Sequence, residues 1–332
     1  MTGAAILGCA GPVLGPQEAA FFREAAPWGF ILFARNVQTP DQIRRLTDDL
    51  RDAVGRDAPI LIDQEGGRVQ RLRAPRWREW PAPLTHVRQA RDGARAMWLR
   101  YRLIAAELRA VGVDVNCAPM ADIAFAETHA FLRDRCYGET VGQVVAAARA
   151  VADGLLAGGV LPVLKHIPGH GRATADSHLD LPRVDTAQEV LQAEDFAAFR
   201  ALNDLPMAMT AHIVYSAFDA APATCSGPMM QVIRGDIGFA GLIMSDDVSM
   251  QALSGTIGER SAAARAAGCD VVLHCNGDMA EMAEVVRHAG QLDADGSRRA
   301  EAALAQRVTP AAVDLDALEE ELAALMGEQD HV

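Results

Sequence analysis

Residues 160–178 read Val-Leu-Pro-Val-Leu, then Lys165-His166-Ile167-Pro168-Gly169-His170-Gly171, then Arg-Ala-Thr-Ala, then Asp176-Ser177-His178. The apolar run at 160–164 predicts a buried strand with Lys165 and His166 at its carboxyl end, and the residues after them predict a loop. Two glycines and a proline allow the loop to fold back, so that His170, Asp176 and His178 can face one space. In α/β enzymes this end of the strands carries the chemistry.

Length and composition favour one large globular domain. The chain has 332 residues, half of them hydrophobic, and no linker, repeat or low-complexity segment divides it, so we expect one domain over 1–332. Its formal net charge of −13 disfavours nucleic acid and anionic membranes as partners, because both need basic surface. No apolar run approaches the roughly 18 residues that a bilayer span requires.

The cysteines predict a reducing compartment. Ile6-Leu7-Gly8-Cys9 is similar to a lipoprotein cleavage site, but no Lys or Arg precedes it and its apolar part is too short for a signal, so we interpret it as a first core strand. The six cysteines contain no Cys-x-x-Cys pair; they are Cys9, Cys117, Cys136, Cys225, Cys269 and Cys275. Buried free thiols are typical of the cytoplasm, where we expect this protein.

Strands alternate with helices along the chain. We predict eight short apolar strands, at 4–7, 29–34, 59–62, 113–117, 160–164, 206–210, 241–244 and 270–273. Thr39 as N-cap, Pro40 after it and Gly55 as a stop predict one helix. Further helices are expected at 85–111, 142–156 and 186–202, and an acidic helical tail from about 309 to 328. Eight strands alternating with helices predict an α/β fold, a single closed (β/α)8 barrel of the TIM type.

Polar residues follow the predicted strands at several separate positions. Since the carboxyl ends of barrel strands meet at one rim, these residues should converge on one site. They are Asp63, Asn116, Lys165, His166, His212, Asp246 and His274.

Such a rim can support retaining glycoside hydrolysis, which needs one group to attack and one to move a proton. Asp246 or Asp247 could supply the nucleophile. The spacing of Asp176 and His178 suits an aspartate that orients an imidazole and raises its pKa, so that His178 acts as acid and base.

Two other functions fit the same residues. His166, His170, His178 and His212 with an aspartate could ligate zinc, although no His-x-His pair follows the first strand. A sugar-binding barrel without turnover is the second, but it would lack a nucleophile or an acid. Structural roles also remain open: a turn at Asp63, a helix cap at 245–247, and buried hydrogen-bonded imidazoles for His212 and His274.

Four segments together resemble glycoside hydrolase family 3, and within it the bacterial β-N-acetylhexosaminidase branch. They are Asp63-Gln64-Glu65-Gly66-Gly67-Arg68-Val69, the Lys165-to-Gly171 run, Asp176-Ser177-His178, and Ser245-Asp246-Asp247-Val248-Ser249-Met250. The resemblance covers nearly the whole chain as a single-domain barrel. Ile167 replaces a phenylalanine common in the second segment, which should alter packing more than chemistry.

The resemblance implies roles for particular residues. Asp246 would be the nucleophile with Asp247 as a structural neighbour, and Asp176 with His178 would serve as acid and base. Sugar contacts would fall on Asp63, Arg71, Arg135, Lys165 and His166. Arg133, two residues from Arg135, is the alternative for that arginine.

The implied activity is that of a metal-independent, retaining exo-β-N-acetylglucosaminidase without a cofactor. Its substrate would be N-acetylglucosamine linked to anhydro-N-acetylmuramic acid, with or without peptide, in cell-wall recycling. We expect a monomer that binds this small carbohydrate or muropeptide.

A neutral imidazole repels an anionic acceptor less than a carboxylate does, so we hypothesise that phosphate competes with water for the intermediate. Gly169 and Gly171 predict a mobile loop at 170–180.

Overall fold

A computed structural model describes residues 1–174 and 181–327 of the chain. Eight strands form a closed barrel in which every neighbouring pair is parallel, with the first strand pairing the last. They are β1 Gly3–Gly8, β2 Pro27–Leu32, β3 Ile60–Ile62, β4 Val115–Asn116, β5 Leu161–Ile167, β6 Met207–Thr210, β7 Leu242–Asp247 and β8 Val271–His274. The predicted (β/α)8 barrel is confirmed.

The strands are buried on both faces, which explains why their sequences are continuous apolar runs. All six residues of β1 and all seven of β5 are buried. Within β1, Ile6 belongs to the cluster that fills the barrel, whereas Ala5 and Leu7 belong to the larger cluster between the barrel and its helices. Alternation along each strand therefore serves two apolar cores and leaves polar side chains for the strand ends.

Two strands extend further than the apolar runs predict. β5 continues through Lys165 and His166 to Ile167, and β7 continues through Asp246 and Asp247. The backbone N–H of Lys165 donates to Pro119 at 2.9 Å and its carbonyl accepts from Ala121 at 2.8 Å, so the polar residues still take part in strand pairing. Their side chains lie at the carboxyl rim, as predicted.

Thirteen α-helices in the described residues surround the barrel: α1 Pro16–Ala25, α2 Pro40–Val54, α3 Pro83–Gln89, α4 Gly93–Ala110, α5 Ala130–Arg133, α6 Val141–Ala157, α7 Gln188–Ala193, α8 Asp195–Arg200, α9 Gly227–Gln231, α10 Ile257–Ala267, α11 Met279–Ala289, α12 Ala294–Leu304 and α13 Leu315–Met326. The boundaries of α2 are as predicted: Thr39 accepts a hydrogen bond from the Gln42 N–H at 3.2 Å, and Gly55 ends the helix at a φ of 64°.

Two of the predicted helices are broken. The helix expected at 85–111 is divided into α3 and α4, because Ala90 is extended and Asp92 caps a new helix by accepting from the Arg95 N–H at 3.0 Å. The helix expected at 186–202 is divided at Glu194, whose φ and ψ are −116° and −81°. There Arg172 pairs with both Glu194 and Asp195.

The acidic tail docks on the barrel's helical layer. The helical tail is expected to begin at about residue 309, but helix α13 begins only at Leu315. Residues 309–314 are therefore not helical, contrary to the prediction. Leu322 is buried, the Arg95 Nε atom lies 2.7 Å from Glu321 Oε1, and the Arg91 N–H donates to the Leu325 carbonyl at 3.0 Å. The assignment of all 332 residues to one catalytic domain stays a prediction.

The six cysteines are free thiols, as predicted. None of the helices in residues 1–174 and 181–327 combines the length and apolar character that a membrane span requires.

Candidate active site

A pocket opens at the carboxyl ends of the barrel strands. Its polar lining consists of Asp63, Arg71, Arg135, Lys165, His166, His170, Asp246 and Asp247. Its apolar lining includes Ile31, Phe33, Val69, Phe131, Met209, Met250 and Leu273. Six of the eight site residues predicted from the sequence therefore share one cavity, and the other two, Asp176 and His178, lie outside the described residues.

Asp63 accepts hydrogen bonds from two cations at the end of β3. Its Oδ1 atom lies 2.9 Å from the Lys165 Nζ atom and its Oδ2 atom 3.2 Å from the Arg71 Nη2 atom. Burial alone would raise the pKa of Asp63, but Lys165 and Arg71 hold it well below its usual range. Asp63 is therefore an ionised acceptor beside two donors, an arrangement suited to the hydroxyl groups of a sugar.

The loop after β3 is shaped by its paired glycines. Gly66 has a φ of 106°, and a Cβ atom there would lie 2.8 Å from the Pro81 carbonyl oxygen. Glycine thus permits the turn that returns the chain to Arg71, whose backbone N–H donates to Gln64 at 2.9 Å. Asn116 fixes the other side of Gln64, accepting from its N–H at 3.0 Å and donating to its carbonyl at 3.1 Å. Asn116 is a structural residue of the rim.

Glu65 lies under the pocket, and the sequence interpretation gave it no role. Its carboxylate accepts from Arg135 Nε at 2.9 Å and Arg135 Nη2 at 2.8 Å, and lies 2.5 Å from Lys165 Nζ. Burial alone would raise the pKa of Glu65, but Arg135 and Lys165 lower it to about 2. The residue stands inside the Asp63-to-Val69 segment, so the same motif contained the signal.

The two candidate arginines, Arg135 and Arg133, have different surroundings. Arg135 is buried and lines the pocket, whereas Arg133 donates to Glu139 at 2.6 Å and to the Phe125 carbonyl. Burial would lower the pKa of Arg135, but Glu65 raises it further above its ordinary value. Arg135 therefore carries a permanent charge at the pocket wall.

Asp122 is hydrogen-bonded to the end of β5, and it is not among the residues predicted for the site. Its Oδ2 atom lies 2.8 Å from the His166 Nδ1 atom, and its Oδ1 atom accepts the His170 backbone N–H at 2.6 Å. Burial alone would raise the pKa of Asp122, but His166 and His170 hold it below its ordinary value. Burial and the neighbouring His166 lower the pKa of His170 to about 4, so the His170 imidazole is neutral at neutral pH.

Asp246 and Asp247 differ in what their carboxylates contact. Asp247 accepts from the Ser249 hydroxyl at 2.7 Å, the Ser249 N–H at 3.0 Å and the Cys275 N–H at 3.2 Å, and so ties two rim loops together. Asp246 accepts from the Asp247 N–H at 2.8 Å. Burial would raise the pKa of Asp246, but His212 and His166 hold it below its ordinary value, so an ionised carboxylate lines the pocket.

His212 and His274 are hydrogen-bonded to neighbouring residues, as their alternative structural role predicts. The His212 Nδ1 atom lies 2.7 Å from the Thr224 hydroxyl and its Nε2 atom 3.0 Å from the Asp247 carbonyl oxygen. Since both ring nitrogens have partners, His212 supports the rim and does not line the pocket. The His274 Nε2 atom lies 2.9 Å from Glu281, on the helical side of β8.

Among residues 1–174 and 181–327, no three His, Cys, Asp or Glu side chains are grouped as a metal site. Of the four histidines in the zinc interpretation, His166 and His170 line the pocket, and His212 has both ring nitrogens hydrogen-bonded elsewhere. The fourth, His178, is not among the described residues.

Comparisons with known proteins agree with this geometry. Residues 24–309 match the family model described as Glycosyl hydrolase family 3 N terminal domain. A beta-hexosaminidase of Alkalilimnicola ehrlichii is 40% identical over 297 residues, which cover 87% of this chain and 84% of that protein. A beta-hexosaminidase of Methylococcus capsulatus is 38% identical over 314 residues, 93% of this chain and 92% of the relative.

A solved structure shares the whole fold. Native NagZ from Neisseria gonorrhoeae superposes with a TM-score of 0.87 at 31% identity, covering 98% of each chain. The same protein in complex with N-trifluoroacetyl-D-glucosamine gives a TM-score of 0.81 at 29% identity, covering 98% of this chain and 99% of that one. The chain belongs to glycoside hydrolase family 3, and it is a glycoside hydrolase.

Proposed function

We propose that this protein is a retaining exo-β-N-acetylglucosaminidase with Asp246 as its nucleophile. The relatives' names, beta-hexosaminidase, and the N-trifluoroacetyl-D-glucosamine bound by the Neisseria protein support the choice of sugar. The observation that carries the proposal is the position of Asp246, an ionised carboxylate at a barrel strand end that shares its pocket with Asp63, Lys165 and Arg71.

In the proposed first step, an Asp246 oxygen bonds to the anomeric carbon while the glycosidic carbon–oxygen bond breaks. The leaving oxygen takes the proton of His178, whose partner is Asp176. In the second step water bonds to the same carbon, its proton goes to His178, and the Asp246 ester bond breaks. Two displacements at one carbon retain the β configuration. No cofactor takes part in either step.

The rest of the pocket would bind the terminal sugar. Asp63 would accept hydrogen bonds from ring hydroxyls, while Arg71, Lys165 and Arg135 would donate them and His166 would complete the contact set. Hydrogen bonds that are stronger in the charged transition state than in the ground state accelerate the reaction. The three cations already have carboxylate partners, so they are positioned before substrate arrives.

We also propose the natural substrate and the setting. The substrate would be a peptidoglycan fragment in which N-acetylglucosamine is linked to anhydro-N-acetylmuramic acid, with or without peptide, and the enzyme would act in the cytoplasm as a monomer during cell-wall recycling. Light scattering of the purified protein tests the oligomeric state. Turnover of a purified muropeptide, compared with a p-nitrophenyl glycoside, tests the aglycone.

The central test is release of p-nitrophenol from its β-N-acetylglucosaminide by wild type, Asp246→Ala and His178→Ala, with and without EDTA. We expect wild-type activity that survives the chelator, and loss of activity in Asp246→Ala. Azide should restore p-nitrophenol release by Asp246→Ala, because the small anion enters the space left by the carboxylate. The product should then be the α-glycosyl azide. Loss of wild-type activity with EDTA would instead favour a metal site.

The phosphate hypothesis has its own test. If phosphate competes with water for the intermediate, the sugar 1-phosphate should form in phosphate buffer.

A further inference from the structure

Asp122 contacts two backbone N–H groups and one ring nitrogen at the end of β5 and just after it. Its Oδ2 atom lies 2.8 Å from His166 Nδ1, and the backbone N–H of His166 lies 3.3 Å from the same oxygen. Its Oδ1 atom accepts the His170 backbone N–H at 2.6 Å. Asp122 and His166 are 0% and 5% exposed, so water does not compete for these contacts.

These contacts decide which nitrogen of His166 carries a proton. An ionised carboxylate can only accept hydrogen bonds, and nearby His166 and His170 favour the ionised form of Asp122. The proton of a neutral His166 ring must therefore be on Nδ1. The lone pair of Nε2 is left on the other side of the ring, where it has no hydrogen-bond partner within residues 1–174 and 181–327.

We propose that Asp122 is a positioning residue of the site. It holds His166, which lines the pocket, in the Nδ1-protonated form, so that Nε2 meets the ligand as a hydrogen-bond acceptor. The ligand group would be a hydroxyl of the terminal sugar, and this part of the inference rests on the proposed function. Through the His170 N–H, the same carboxylate also fixes the start of the chain that leads to Asp176.

Asp122→Asn gives a sharp prediction, because an amide has one accepting and one donating end. If the oxygen faces His166, the amide NH2 meets the His170 backbone N–H, and two buried donors oppose each other. A backbone N–H cannot move its proton, whereas a neutral imidazole can exchange tautomers. The His166 backbone N–H lies 3.4 Å from Oδ1, so in the opposite orientation it can keep that oxygen as its acceptor. Because an unpaired buried donor is costly, the amide oxygen should face His170 and the NH2 should face the His166 ring. The ring then carries its proton on Nε2.

The test is ¹⁵N NMR of the full-length protein labelled at histidine, recorded at an alkaline pH where the His166 signals no longer change with pH, so that the ring is neutral. The His166 signals are assigned by their absence in His166→Gln. We expect an Nδ1–H pattern in wild type and an Nε2–H pattern in Asp122→Asn. An Nε2–H pattern in wild type, or an unchanged pattern in the variant, would overturn the proposal.

A matched control and a kinetic cycle separate positioning from general damage. Asp114 is also a buried aspartate that accepts a backbone N–H, from Ile60 at 2.8 Å, but it lies at the amino-terminal side of β4. Asp114→Asn should leave the His166 pattern and kcat/KM unchanged. Asp122→Asn should lower kcat/KM about tenfold or more, but by less than about threefold in a His166→Ala background.

An equal loss in both backgrounds would show that Asp122 does not act through His166. A wild type that releases no p-nitrophenol from the N-acetylglucosaminide would count against the proposed function alone, because the NMR pattern is read without substrate.

Discussion

The carboxylate of Glu65 and the guanidinium of Arg135 make two parallel hydrogen bonds beside the pocket, with nitrogen–oxygen distances of 2.9 and 2.8 Å. Their side chains are 0% and 8% exposed. Lys165 adds a third contact to the same carboxylate and a fourth to Asp63. One buried glutamate thus aligns two of the cations that line the pocket.

Glu65→Gln should be strongly destabilising. Removing one partner of a buried ion pair leaves the other charge uncompensated, which typically costs about 3–5 kcal/mol. Urea unfolding followed by circular dichroism measures the loss. Glu321→Gln is the matched control, because Glu321 makes the same two-bond contact with Arg95, at 2.7 and 2.8 Å, on an exposed surface. A small effect in both variants would show that burial does not govern this pair.

The stability difference between wild type and Glu65→Gln should depend on pH. The folded protein lowers the pKa of Glu65 from an ordinary value of 4.5 to about 2, so the ionised form contributes stability above pH 4.5. This contribution, on the order of 3 kcal/mol, is lost as pH falls through the window down to about 2. Unfolding midpoints measured across that window should converge for the two proteins. A constant difference would mean that Glu65 does not titrate there.

The barrel was predictable because burial on both faces makes each strand a visible apolar run. The ends of the strands were less predictable. Lys165 and Asp246 are polar and come directly after the apolar runs that predict the strands, yet both continue a strand, because backbone pairing does not depend on the side chain. The break between α3 and α4 was readable from Asp92 followed by Gly93, an N-cap and a weak helix former. The break at Glu194 depends on Arg172, which is distant in sequence.

The pocket was predictable as a set of strand-end residues, but its internal contacts were not. Glu65 and Arg135 are 70 positions apart, and Asp122 and His166 are 44 apart. Sequence spacing cannot state which side chains meet across such intervals until the strand register is known. The position of His212 after a predicted strand places it on the rim correctly. Its hydrogen-bond partner Thr224 is not predictable from that position.

Arg135→Lys should impair the enzyme much more than Arg133→Lys. A lysine at 135 keeps the charge but cannot make the two-bond contact with Glu65. Loss of a hydrogen bond to a charged group, worth about 1.5–3 kcal/mol, predicts a fall in kcat/KM of about 10- to 100-fold. Arg133 pairs with Glu139, which is 47% exposed, so its variant should be nearly unchanged. Steady-state kinetics on the p-nitrophenyl substrate measure kcat/KM of both variants. A larger loss in Arg133→Lys than in Arg135→Lys would assign the sugar contact to Arg133.

Leu322→Ala tests how helix α13 contributes to the fold. Leu322 is 7% exposed and packs into the outer core, so its truncation should cost about 2 kcal/mol of unfolding free energy. Glu320→Ala, on the exposed side of the same helix, should stay within about 0.5 kcal/mol of wild type. Because α13 does not line the pocket, kcat/KM of both variants should equal that of wild type at a temperature where each is folded. A stability loss near zero in Leu322→Ala, measured by urea unfolding, would mean that the tail packs on the barrel without stabilising it.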